Sequence, residues 1–150
     1  MRYLLVVLAV VVLAGCGGGG GSGDCSFSDP TTPTYDLDGQ FWTLSGTTPE
    51  NDCPDPVYTF NVSGTFSQDG NTLTVSGSGV TLTGEISDGQ IKWGGTISSG
   101  GENITIECTT MAVTGVDIGD TMTFSNTTWT VDYGEGTCSG TASGTFTRIS

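Results

Sequence analysis

From about Tyr35 to the last residue, no stretch of ten residues repeats its apolar positions at helical spacing, whereas alternation with period two recurs throughout. That feature confines this part of the chain to β-structure. Tyr58, Phe60 and Val62 alternate with polar residues, as do Leu73 with Val75, Val80 with Leu82, and Ile91 with Trp93. The pattern returns in Ile104, Ile106 and Cys108, in Met122 with Phe124, and in Trp129, Val131 and Tyr133. Successive side chains of a strand point to opposite faces, so each segment has one apolar and one wet side. Thr dominates the wet side, because its branched carbon suits a pleated backbone while its hydroxyl meets water.

Turn residues divide these segments: Asp69-Gly70-Asn71, Asp88-Gly89, Gly100-Gly101, Gly119-Asp120 and Gly134-Glu135-Gly136. The resulting expectation is eight strands, at about residues 41–45, 57–67, 72–77, 80–87, 90–97, 103–113, 121–133 and 137–148. The seventh changes phase, since Met122 and Phe124 are even and Trp129, Val131 and Tyr133 are odd. A bulge at Ser125-Asn126-Thr127 is expected there, in preference to a further hairpin. Eight antiparallel strands in series without a long crossover are best closed as an up-and-down barrel, since closure removes sticky edges. A two-sheet sandwich is the alternative. Gly140, Ala142 and Gly144, in phase with Cys138 and Phe146, put small residues on the inner face of the last strand.

The first residues are of another kind. Arg2 precedes an apolar run from Leu4 to Ala14, well short of the roughly twenty residues a membrane-spanning helix needs, and a small-residue end follows. This fits a cleavable export signal. Leu13-Ala14-Gly15-Cys16 resembles the lipobox of bacterial lipoproteins. The resemblance implies that Cys16 carries diacylglycerol, detectable with palmitate, and becomes the new N-terminus held to a membrane. Gly17, rather than Asp, after the lipidated position implies the outer membrane. Residues 17–23 are almost all Gly, and with the polar residues up to Pro33 they read as a flexible tether. The expected organisation is a signal peptide over 1–15, lipidated Cys16 and tether over 16–34, and the barrel over 35–150.

Beyond residue 15 there are 16 acidic side chains against Lys92 and Arg148, a formal balance of −14. Such a surface repels nucleic-acid phosphates, so no polynucleotide partner is expected. With Cys16 assigned to lipid, Cys25, Cys53, Cys108 and Cys138 remain, an even number that reads as two disulfides outside the cytoplasm. The chain has no His and no closely spaced Cys pair, so neither a zinc site nor a His-assisted nucleophile is expected. No cofactor, metal or catalytic residue is assigned. The acidic loop Glu50 to Pro56, and Asp36 with Asp38, lack regular calcium-ligand spacing and read as solvated surface.

Leu37-Asp38-Gly39-Gln40-Phe41-Trp42 at the first strand and Arg148 at the end of the last resemble the calycins, especially lipocalin-like bacterial lipoproteins. The resemblance implies that Arg148 packs across the aromatic ring opening the first strand to latch one end of the barrel; Phe41 holds the family's Trp place, whereas Trp42 shares its parity with Leu44 and is favoured over Phe41 as the inward ring. A guanidinium over an indole is physically reasonable. In a closed meander of eight strands, the end of strand one and the start of strand eight share a rim. Cys53 with Cys138 is therefore the preferred disulfide, leaving Cys25 with Cys108, although the other two connectivities stay open. Two readings of function follow. The first is a non-enzymatic module for a small hydrophobic ligand or envelope component, lined by Trp93, Trp129, Tyr58 and Phe60. The second is a structural or protein-interaction lipoprotein with a filled barrel, its protein partner unidentified.

Overall fold

The computed structural model describes residues 25–53, 58–99, 102–132 and 136–150. The expected signal peptide, Cys16 and the glycine run lie outside the described residues. Eight strands follow one another: β1 (Phe41–Asn51), β2 (Tyr58–Asp69), β3 (Thr72–Gly77), β4 (Val80–Ser87), β5 (Gln90–Ser99), β6 (Glu102–Ala112), β7 (Thr121–Asp132) and β8 (Thr137–Arg148). Each pairs antiparallel with the next, and β8 pairs with β1, which closes an up-and-down barrel rather than a sandwich.

The period-two pattern becomes the two faces of the wall. Trp42 and Leu44, Phe60, Val62 and Phe66, Leu73 and Val75, Val80, Leu82 and Ile86, Ile91, Trp93 and Ile97 are all buried, as are Ile104, Ile106 and Met111 of β6, Met122, Phe124, Trp129 and Val131 of β7, and Cys138, Ala142 and Phe146 of β8. The turns have the backbone their residues dictate. Asp88 (φ 43°) and Gly89 (φ 74°) join β4 to β5 with both central residues left-handed, the geometry whose twist matches a hairpin.

The phase change in β7 is a bulge: its register with β8 shifts between Phe124 and Thr127, and Asn126 takes φ 55°. A second bulge was not expected. The register of β5 with β6 shifts between Trp93 and Gly95, which leaves Gly94 opposite the Glu107–Cys108 pair. Glu107 and Cys108 are both exposed and Met111 and Val113 are buried, so Cys108 does not continue the inward row of Ile104 and Ile106. A third irregularity, between Thr47 and Glu50, lets β1 run to Asn51 instead of ending near residue 45. It surrounds Pro49, whose missing N–H suits a bulge.

Glycines close the seam. Gly46 of β1 lies directly opposite Gly144 of β8. A Cβ on Gly144 would fall 2.7 Å from the Phe124 ring, and one on Gly46 would strike the Phe60 ring. The two absent side chains are thus replaced in the core by two aromatic rings.

The segment before β1 differs from the expected free tether. From Cys25 to Thr34 it is strapped along the outer wall of the barrel. The Phe27 N–H donates to Glu85 (2.5 Å), Lys92 Nζ to the Ser26 carbonyl (2.8 Å), the Thr31 N–H to Ser87 Oγ (2.8 Å), and Asn71 Nδ2 to the Thr31 carbonyl (2.6 Å). The chain then turns over the mouth, where Leu37 is completely buried and caps the core. Its N–H donates to Gln68 Oε1 (2.9 Å), and Gln40 ties the cap to the barrel by accepting from Trp42 Nε1 (3.2 Å).

Candidate functional site

The barrel interior is where the expected ligand-lining residues meet. Phe60, Trp93 and Trp129 are all buried there, while the side chain of Tyr58 lies outside the described residues. Trp93 projects from β5 across the barrel and meets Phe124 of β7 at 5.1 Å and Phe146 of β8 at 5.2 Å, both edge to face. Phe66 from β2 joins Trp42 (6.0 Å) and Phe146 (6.3 Å). One chain of rings therefore links opposite walls. The void beside it, bounded by residues such as Leu82, Met111 and Phe146, measures about 10 Å³, near the volume that admits a single water. Trp93 Nε1 finds no hydrogen-bond partner among the described residues. Leaving such a donor dry costs about 1–3 kcal/mol, so packing rather than polarity holds the ring in place.

At the mouth capped by Leu37, Trp42 faces inward and Phe41 outward, and Arg148 lies directly opposite Trp42. The hydrogen bonds of the guanidinium, however, go to the backbone carbonyls of Val116 and Ser150. The latch thus fastens the loop 113–120, which also returns Gly119 N–H to the Arg148 carbonyl (2.9 Å).

Both disulfides join the pairs preferred on topological grounds. Cys53 and Cys138 meet at the opposite rim with Cα atoms 5.1 Å apart. Asp52 and Ser139 exchange backbone contact beside them (3.1 Å), and the Asp52 carboxylate accepts the Ser139 N–H (2.5 Å). Asp52, Cys53 and Cys138 also form a compact group of potential metal ligands, but both sulfurs are consumed by the disulfide. Cys25 and Cys108 (Cα–Cα 5.5 Å) join the strap to the outside of β6. That position follows from the β6 bulge, which turns Cys108 outward, and from Gly94, where a Cβ would sit 2.9 Å from the Cys25 sulfur.

Two hollows flank the strap. One of about 250 Å³ lies under Cys25 and Ser26 against Thr83 and Glu85, and an open groove of about 470 Å³ runs between Tyr35, Asp38 and Gln68. In that groove, Asp36 and Asp38 accept the N–H groups of Asp38 (3.0 Å) and Gln68 (3.0 Å), so their carboxylates order turns. Sequence reasoning missed the cap at Leu37 and the strap contacts of Glu85, Ser87, Asn71 and Lys92. The one available signal was the shift of β6 from even Ile104 and Ile106 to odd Met111 and Val113.

The chain matches no protein-family model, no curated protein and no solved structure with which it was compared.

Proposed function

We propose that the chain is a lipid-anchored protein of the bacterial envelope, without catalytic activity, that works through the outside of a filled, lipocalin-like barrel. The observation that carries this reading is the ring contact of Trp93 with Phe146, which spans the interior beside a void of about 10 Å³. Pockets for small ligands are commonly several hundred Å³. The packing therefore supports a structural or protein-interaction role over carriage of a small hydrophobic molecule.

The anchor rests on Leu13-Ala14-Gly15-Cys16. Supporting it, the barrel keeps its apolar side chains inside and Thr-rich faces outside, the reverse of the arrangement by which a barrel meets lipid. No helix among the described residues is long and apolar enough to cross a membrane. On this reading residues 16–24 separate the lipid from the strap, which is bound to the wall from Cys25 onward.

Native mass spectrometry of the delipidated protein, purified from its own envelope, tests the reading. The expected result is a bare mass with both disulfides formed. A stoichiometric small-molecule adduct would restore the ligand-binding alternative. Palmitate labelling, lost in Cys16→Ser, tests the anchor separately.

A further inference from the structure

The large apolar side chains exposed among the described residues are Phe41 (37%), Ile118 (72%) and Ile149 (49%). Scattered singly they would mean little. They are not scattered. Phe41 begins β1 and Ile149 follows β8, and the two residues are neighbours on the outward face, with the Ile149 N–H donating to the Phe41 carbonyl (2.8 Å). Ile118 lies on the adjoining loop, whose next residue, Gly119, is bonded to the Arg148 carbonyl. All three therefore belong to one patch at the β8–β1 seam.

The strap and its disulfide lie elsewhere. Cys25 is fastened to β6, beside Gly94 of β5. In a closed ring of eight strands in sequence order, β6 is two places from β8 and three from β1.

Charge narrows the occupant. Asp117 and Asp120 flank Ile118, and Asp36 and Asp38 precede Phe41. Arg148, the cation at this rim, has its guanidinium on the carbonyls of Val116 and Ser150. An apolar centre within an acidic border disfavours anionic headgroups, and a formal balance of −14 disfavours a second copy of the same chain.

We infer that Phe41, Ile118 and Ile149 form a docking surface for an envelope protein that offers an apolar centre bordered by Lys and Arg. This rests on the proposed surface-acting, anchored role and names the surface that acts. Apolar anchors supply the holding contacts, and the acidic border steers encounter.

Photocrosslinking in the full chain, in its own envelope, tests the inference. Benzoylphenylalanine is placed at Ile118 and, as the control, at exposed Ser78 in the turn on the opposite rim. The expected result is one discrete protein adduct from position 118 and none from position 78. The captured protein, purified, should bind the native chain at least about tenfold more tightly than the Ile118→Ser/Ile149→Ser variant. Its binding should also weaken on raising salt from about 0.05 to about 0.5 M. A phospholipid adduct, a dimer of this chain, no adduct, or a protein indifferent to those substitutions and to salt would each overturn it. Palmitate labelling of the same samples separates the two readings. A labelled chain without a protein adduct removes the docking surface alone, whereas an unlabelled chain with the adduct removes the anchor and leaves the docking surface.

Discussion

The two disulfides close loops of nearly equal length, with sequence separations of 83 for Cys25–Cys108 and 85 for Cys53–Cys138, and differ in nearly everything else. Cys53–Cys138 staples the closing seam. It continues a ladder of paired backbone between β1 and β8, next to the Asp52–Ser139 contacts. Cys25–Cys108 pins a strap to the outside of a finished wall, where the accompanying bonds from Phe27, Thr31 and Asn71 are part-buried or exposed. Loop length sets how far each bond restricts the unfolded chain. What each bond restrains in the folded chain sets how much of that restriction survives as stability.

The largest expected effect follows from the seam. Cys53→Ala/Cys138→Ala should lose about 4–5 kcal/mol on the chain-entropy treatment, a fall in melting temperature on the order of 15 °C for a domain of this size. Chemical denaturation of oxidised parent and variant measures it directly. Cys25→Ala/Cys108→Ala should lose roughly half as much, because the freed strap can leave the wall while the barrel stays folded and so regains chain entropy in the native state. Limited proteolysis should then cut between residues 26 and 34 and leave the barrel intact. Equal losses from the two variants, with an uncut strap, would show that both disulfides act on the same cooperative unit.

The contrast also marks what a reader of the residues could foresee. Strand number and closure were legible because side-chain parity survives in the sequence, and in β7 the switch from Phe124 to Trp129 disclosed the bulge as well. The seam disulfide was legible because closure itself puts the end of β1 beside the start of β8. The strap was not. Ser26 to Thr34 has Phe27 as its one large apolar residue and binds through backbone groups and isolated hydroxyls, contacts that leave no periodicity. The burial of Leu37 was not foreseen, because a single apolar residue in a turn has no partner of matching parity. Inner volume was illegible too: Trp93 could line a cavity or cross one, and only the placement of Phe124 and Phe146 decides.

The smallest expected effect separates the mouth from both disulfides. Arg148 holds the 113–120 loop through the Val116 carbonyl, and in Arg148→Ala that part-buried acceptor loses a charged donor while the aliphatic stem beside Trp42 is lost as well. The change should destabilise by about 1 kcal/mol. Amide exchange should quicken at Gly119 and Asp120, whose N–H groups donate to Arg148 O and Asp117 O, and stay unchanged around Cys53 and in the strap. Arg148→Lys distinguishes a latch from a simple counter-charge. An ammonium restores the charge without the planar fork that reaches two carbonyls, so exchange at Gly119 should remain fast. Full protection in the Lys variant would mean that charge alone holds the loop, and that the mouth, unlike the seam, is closed by long-range attraction rather than by a directed bond.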